Sequence, residues 1–221
     1  MINYYAAMFI LTILSFFLLW YEYQNRKTSY YYLVIVLIMM ISNAGYLAVA
    51  LSTCVEEVIL ANKVLYFGSC FVPPILLSLM CTLIKYKIHL WMKCLLYGIS
   101  VIIYGMVLTI GYNDIYYKDV YLKSYRDATV IGHTYGIGHT CFYLFLLGHL
   151  ILEVCMIVIM TTKRRSISRR NLIGVSVIVV TNVYLFFMGQ LVNPLIEVTP
   201  MIYAINCGVL GYMFKKDMIY N

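Results

Sequence analysis

Ionisable and aromatic side chains recur at helical spacing in a stretch that is otherwise strongly apolar. The residues are Tyr135, His139, Phe142, His149 and Glu153. At 100° per residue they fall on one face of a helix, roughly 80° wide. Because ionisable groups are costly in an apolar surrounding such as lipid, we expect this face to contact protein.

His149 and Glu153 lie four residues apart, a spacing that lets two side chains on a helix meet. Glu153 precedes Lys163 by ten residues. At 1.5 Å per residue it therefore lies about 15 Å deep, near the middle of a hydrocarbon slab of about 30 Å. Three interpretations stay open: a proton-sensitive switch, a polar anchor for a ligand, and a hydrogen-bonded pair of the core.

Further polar residues lie in other apolar stretches. Ser42, Asn43 and Asn206 are such residues, and three amides of the sixth stretch share one face. Interhelical hydrogen bonds of this kind contribute about 0.6 to 2 kcal/mol, so a ligand pocket and simple helix association are both open. The candidate ligand-binding or polar-core residues are Lys63, Tyr135, His139, His149, Glu153, Asn182, Gln190 and Asn193.

The elements that carry these residues follow from composition. Apolar residues make up 63% of the 221 residues and charged residues 11%, whereas soluble proteins have about half and a quarter. Long apolar stretches without period-two alternation predict helices and not a membrane barrel. We therefore predict one all-α domain, residues 1–221, that forms a seven-helix transmembrane bundle. Its helices are expected at residues 5–23, 31–51, 58–84, 90–112, 136–160, 172–192 and 198–214.

Lysine and arginine residues predict the orientation. Twelve of the sixteen lie after the first, third, fifth and seventh stretches, and the basic side of a membrane protein faces the cytoplasm. The N-terminus is thus predicted outside and the C-terminus inside, and the first helix is expected to be retained because no basic leader precedes it. The net charge of +7 then matches contact with lipid headgroups and not with nucleic acid.

The connection of residues 113–135 is the one long outer loop, and it is rich in tyrosine. It could form a lid or an aromatic belt at the headgroup level. Gly132 and Gly136 form a small-xxx-small pair that predicts close helix approach at the outer end of the fifth helix. Pro73 and Pro74 predict a kink in the third helix.

Several chemistries lack their residues in this sequence. The seventh stretch has no lysine for a Schiff base, the cysteines have no metal-type spacing, and no phosphate loop or nucleophile elbow is present. We therefore expect no catalytic residues, no metal and no cofactor. A small transporter or channel with a His149 and Glu153 relay, or a structural subunit of a membrane complex, remains an alternative.

Motifs spread over nearly the whole chain resemble the N-terminal seven-transmembrane sensor region of bacterial histidine kinases and related signalling proteins. They are Ala61 to Lys63, Tyr66 to Gly68 and Val72 to Pro74, then Tyr135, Gly136, His139 and Tyr143, then Arg169 to Asn171, Asn182, and finally Thr199 with Pro200. The resemblance implies a multi-pass sensor of the bacterial plasma membrane, whose seventh helix relays a signal inward.

That implied function names the partners that we expect. They are the lipid bilayer, a small-molecule or lipid ligand, a second copy of the chain in a homodimer, and a cytoplasmic output domain or separate signalling protein. Only seven residues follow Phe214, too few for a folded output domain. We therefore expect the response to come from outside this sequence.

Overall fold

The computed structural model describes residues 1–25, 29–162, 168–191 and 197–217, and within them the chain forms seven α-helices and one two-stranded sheet. The helices are α1 (Ile2–Asn25), α2 (Tyr31–Leu51), α3 (Val55–Leu83), α4 (Leu90–Leu108), α5 (Ile137–Thr162), α6 (Arg169–Leu191) and α7 (Thr199–Asp217). The strands β1 (Tyr117–Tyr125) and β2 (Ala128–Tyr135) lie between α4 and α5.

The predicted helical bundle is confirmed, while the number of membrane crossings stays a prediction. Six helices of the described chain, α1 to α6, are long and apolar enough to cross a membrane. The seventh, α7, is not among them. Crossing by α7, and the orientation of the bundle, therefore remain expectations from the sequence.

Helix α3 occupies the centre of the bundle. It packs against α2, α4, α5 and β1, while α1 closes the ring by contacting α2 and α7. In the most apolar window of each helix, 72% of the α3 residues are buried, against 17% in α1 and in α4. Large apolar side chains therefore cover the outside of α1 and α4, as expected of surfaces that face lipid.

The largest apolar cluster joins α2, α3, α6 and α7. It includes Met39, Leu76, Ile178, Leu210 and Phe214, none of which is more than 1% exposed. The cluster fills the half of the bundle that contains the C-terminal end of α7. A second cluster, around Cys70, Ile103 and Phe142, extends to the buried Tyr116 and Tyr117 beside the sheet.

The loop of residues 113–135 contains a β-hairpin that we did not predict. Strands β1 and β2 pair antiparallel from Tyr117 opposite Tyr135 to Tyr125 opposite Ala128. The turn places Arg126 at a positive φ of 56°. Alternation of half-buried Val120 and Leu122 with exposed neighbours is the period expected of a strand with one covered face.

The predicted role of Gly132 and Gly136 in helix contact is wrong, because both precede the first residue of α5. Gly132 lies on β2, where a Cβ would overlap the ring of Tyr121. Gly136 lies between β2 and α5, where a Cβ would overlap the carbonyl oxygens of Asp114 and Ile115. These glycines therefore permit hairpin packing and not helix pairing.

Two other expectations concern helix ends and interiors. The fourth helix ends at Leu108 and not at residue 112, since Gly111 adopts a positive φ of 83° in the following turn. Pro73 and Pro74 lie inside α3, as expected, and the helix continues through them. The Ser78 hydroxyl donates to the Pro74 carbonyl at 2.9 Å.

Candidate functional site

A cavity of about 260 Å³ lies beneath the hairpin, between α1, α2, α3, α5, α6 and α7. Its wall is formed by side chains from each of these helices and from β2. Four of the predicted site residues on α5 and α6 contribute to it: His139, His149, Glu153 and Asn182. Tyr135, predicted on the same helical face, reaches the cavity from the end of β2.

The predicted polar face of α5 is indeed turned toward protein. His139, Phe142, His149 and Glu153 are each at most 5% exposed. The lipid-facing side of the same helix carries apolar residues such as Leu144 and Ile151, which are 64% and 56% exposed. This division follows from the cost of placing polar groups in hydrocarbon.

Glu153 forms its hydrogen bond with α6. The Asn182 amide nitrogen donates to Glu153 Oε2 at 3.4 Å, a long distance for this type of bond. Glu153 is 1% exposed, and among the described residues no lysine, arginine or histidine forms an ion pair with it. The carboxyl group is thus buried at the cavity wall with one weak protein donor.

His149 does not form a hydrogen bond with Glu153, although the spacing of four residues allows one. Its Nδ1 lies 3.1 Å from the Phe145 carbonyl oxygen one turn earlier, and a carbonyl accepts only from a protonated nitrogen. In the neutral ring the Nε2 atom is then the acceptor, and it is buried without a partner in the described structure. No hydrogen bond joins the ring to Glu153 among the described residues.

Stacked rings form the wall of the cavity on the side of the hairpin. Tyr135 and His139 stack with centroids 3.6 Å apart, and Tyr143 contacts the edge of His139 at 4.6 Å. Above them, His133 stacks on Tyr117 at 4.4 Å. The hairpin and the first turns of α5 are therefore joined through ring contacts as well as through the chain.

Hydrogen bonds fix the hairpin over the bundle. The hydroxyl groups of Tyr117 and Tyr66 lie 2.7 Å apart, which links β1 to α3. Thr129 on β2 donates to the Ser52 carbonyl at 2.7 Å, at the end of α2. Burial of Tyr116 and Tyr117, at 0% and 3% exposure, does not fit an aromatic belt that faces headgroups.

His133 and Glu197 are among the titratable groups near the hairpin whose pKa values are shifted. Burial, with a smaller effect of Lys123, lowers the pKa of His133 to about 4. Glu197, just before α7, is exposed to the hollow of the cavity, but surrounding protein displaces bulk water and raises the pKa of its carboxyl group. Neutral His133 therefore prevails at neutral pH.

The remaining predicted residues lie elsewhere. Lys63 is outside the cavity wall, with its Nζ 4.5 Å from the centroid of the Tyr112 ring. Asn193 lies outside the described residues, and the side chain of Gln190 is likewise not described. Pro200 lies in the first turn of α7, where its carbonyl oxygen accepts from Asn43 at 3.2 Å.

Other polar residues of the bundle form hydrogen bonds between helices. Ser42 donates to the Leu65 carbonyl at 2.5 Å, linking α2 to α3. Thr181 donates to Asn206 Oδ1 at 3.0 Å, linking α6 to α7. Ser42, Asn43 and Asn206 thus hydrogen-bond to neighbouring helices, whereas Asn182 lines the cavity and also hydrogen-bonds to Glu153 on α5, so its role as a ligand-binding residue stays a prediction.

Sequence reasoning missed Asn62, Tyr66, Tyr117, His133 and Glu197 as cavity residues. Tyr66 and Asn62 lie four residues apart on α3, and this spacing could have placed them on one face. Tyr117 and His133 lie on strands, so they could be assigned to the cavity only once the hairpin was recognised. Its signal was the run of tyrosine, valine and threonine on both sides of Arg126 and Asp127.

No group of three or more potential metal ligands is present in the described parts of the chain. The cavity instead offers carboxyl, imidazole, amide and phenol groups next to aromatic rings. Such a wall can bind a small molecule by a few directional contacts within an apolar surround.

Comparison with known proteins agrees with this architecture. The family model of the N-terminal 7TM region of histidine kinase matches residues 5–220. Among curated proteins, no match to the sequence is found. The sensor region in this family is the input part and not the catalytic part of the kinase. The chain therefore belongs to the family of the N-terminal 7TM region of histidine kinase, a multi-pass sensory region of the plasma membrane.

Proposed function

We propose that this chain detects a ligand in the cavity beneath the hairpin and relays its binding through α7 to a cytoplasmic signalling domain or partner. The observation that carries the proposal is the cavity itself, which is lined by buried polar groups and touches six helices. A protein interior is normally close-packed, and a polar hollow of this size has room for a small molecule as well as for water.

Helix α7 is the element best placed to relay occupancy. Thr199 and Tyr203, at the beginning of α7, line the cavity, as does Glu197 just before the helix. Leu210 and Phe214, farther along, lie in the main apolar cluster at 0% and 1% exposure. A shift at the cavity would therefore change packing near the end of α7, since packed cores respond by rearranging.

The hairpin supports access from the predicted outer face. Its turn lies near the beginning of α1, where the Ile2 backbone N–H donates to Asp127 Oδ2 at 3.3 Å. It also contacts the end of α2 through Thr129. The hairpin and the N-terminus thus lie at the same end of the bundle, and we propose that the hairpin acts as a lid.

The test combines ligand binding with a readout of α7. Thermal unfolding of purified protein in nanodiscs is measured against a panel of cationic, neutral and anionic metabolites. Binding stabilises the native state by mass action, so a ligand raises the unfolding temperature. If no compound raises it, and a filled interior is found experimentally, ligand sensing in the cavity is excluded.

The relay is tested by a cysteine pair between α6 and α7. Gly174 faces Met213, whose Cγ atom lies 2.6 Å from the position of an added Cβ. We expect the Gly174→Cys/Met213→Cys variant to form a disulfide at a rate that a stabilising ligand changes. The two single variants control for the native cysteines, and an unchanged rate would argue against relay through α7.

A further inference from the structure

The wall of the cavity is acidic. Glu153 and Glu197 both line it, and no lysine or arginine is among its described wall residues. No described side-chain cation pairs with either carboxyl group. A carboxylate removed from water needs a cation or several donors to offset lost hydration.

Among the described residues, one side-chain donor reaches the Glu153 carboxyl group. Asn182 supplies a single donor at 3.4 Å. One turn earlier on α5, His149 Nε2 is an acceptor that is buried and unpartnered in the described structure, and the residue is 5% exposed. This orphan acceptor is independent of the carboxyl groups, and it also calls for a donor.

Aromatic rings make up much of the remaining wall. Tyr66, Phe142 and Tyr143 line the cavity from α3 and α5, and Tyr203 lines it from α7. The faces of such rings attract cations, most strongly where water is excluded. The same rings present apolar surface to a hydrocarbon group.

We propose that the cavity binds an organic ammonium group, with its nitrogen beside Glu153 and His149 and its carbon atoms against the tyrosines. An ammonium group offers up to three donors and no acceptor, which suits the Glu153 carboxyl group and the Nε2 atom of His149. An anionic ligand would meet two carboxyl groups without a counter-charge. This inference rests on the proposed function, because it assigns a chemical class to the ligand of the same cavity.

The test uses three probes of similar size and different charge: 2-phenylethylamine, 2-phenylethanol and 3-phenylpropanoate. Dissociation constants are measured by calorimetry on the full chain in phosphatidylglycerol nanodiscs. We expect the amine to bind at least about tenfold more tightly than the alcohol, and the carboxylate most weakly. Equal affinities, or preference for the alcohol or the acid, would overturn the ammonium assignment while leaving ligand sensing intact.

Glu153→Gln keeps the size of the side chain and removes its charge. We expect it to weaken amine binding about tenfold or more, because a buried charged hydrogen bond loses its acceptor charge. Glu56→Gln is the matched control: this exposed residue lies in the first turn of α3, outside the cavity wall. Unchanged amine affinity in Glu153→Gln would contradict the proposal. If this variant does not fold, the order of affinities of the wild-type protein for the three probes tests the proposal instead.

An ammonium group can belong to a free amine or to a lipid headgroup. Nanodiscs that also contain phosphatidylethanolamine distinguish the two sources. Competition between this lipid and 2-phenylethylamine would identify a lipid ligand, whereas unchanged amine affinity would identify a free amine. If none of the probes, lipids or metabolites binds, the proposed function fails together with this assignment.

Discussion

His133 shows how one residue can couple the hairpin to pH. It stacks on Tyr117, and burial lowers its pKa to about 4 from the usual 6.5. In the unfolded chain the imidazole takes up a proton near pH 6.5, whereas in the fold it stays neutral. Between pH 6.5 and about pH 4 the unfolded state binds more protons than the folded state. The contribution of His133 to the free energy of unfolding therefore falls as the pH falls.

We predict that His133→Phe, which retains a ring for stacking, reduces this pH dependence. The wild-type unfolding temperature should fall from pH 6.5 toward pH 4 more steeply than that of the variant. The difference between the two curves isolates His133 from other groups, including Glu197, whose raised pKa acts in the opposite direction. Parallel curves would show that His133 does not set the slope.

Tyr117 makes a second residue-level prediction. Its hydroxyl lies 2.7 Å from that of Tyr66 in the interior. Tyr117→Phe should cost about 1 kcal/mol of stability and increase hydrogen exchange in residues 117–135, because a buried hydroxyl loses its partner. Tyr121→Phe is the matched control, since Tyr121 is on the same strand and 46% exposed; equal effects of the two changes would contradict the prediction.

At the scale of elements, the junction between β2 and α5 depends on Gly136. Backbone oxygen atoms of Asp114 and Ile115 occupy the space that a Cβ would need, and the Gly136 N–H donates to the Tyr116 carbonyl at 2.9 Å. Backbone cannot move aside as a flexible side chain can. The close approach therefore holds the base of the hairpin against the loop after α4.

We predict that Gly136→Ala destabilises the protein by about 1 to 3 kcal/mol through this overlap. Gly148→Ala, within α5, is the control because nothing lies within 4 Å of its added Cβ. Thermal unfolding in nanodiscs compares the two variants. A Gly136→Ala protein as stable as Gly148→Ala would show that the junction can relax.

At the scale of the whole molecule, orientation is the prediction that most affects function. The charge distribution predicts that the hairpin is outside and that the connection between α3 and α4 is cytoplasmic. Ser124 on β1 and Lys87 before α4 are both exposed, so a cysteine at either position is open to reagents.

In intact cells, an impermeant thiol reagent should label Ser124→Cys. Lys87→Cys should be labelled only after permeabilisation. Both are compared with a parent chain that carries Cys54→Ser, since Cys54 is partly exposed near the hairpin side. The reverse labelling pattern would invert the proposed direction of signalling.

The helical bundle could be predicted from the sequence because its cause is local. Each long apolar stretch must satisfy its own backbone hydrogen bonds in lipid, which selects a helix wherever the stretch occurs. The free-energy cost of polar groups in hydrocarbon likewise turns the polar face of α5 toward protein. His139, His149 and Glu153 could therefore be found from their spacing alone. The family was likewise recognisable from motifs spread along the chain.

Tertiary structure alone decided which polar residues share the cavity. The hairpin depends on pairing between residues up to 18 positions apart, from Tyr117 to Tyr135, and such pairing has only a weak signal in a short segment. Asn62, Tyr66 and Glu197 reach the cavity because separate elements meet there. His149 bonds back to Phe145 on its own helix, whereas Glu153 bonds to Asn182 on α6. The second contact depends on how α5 packs against α6, and no spacing within one helix encodes that packing.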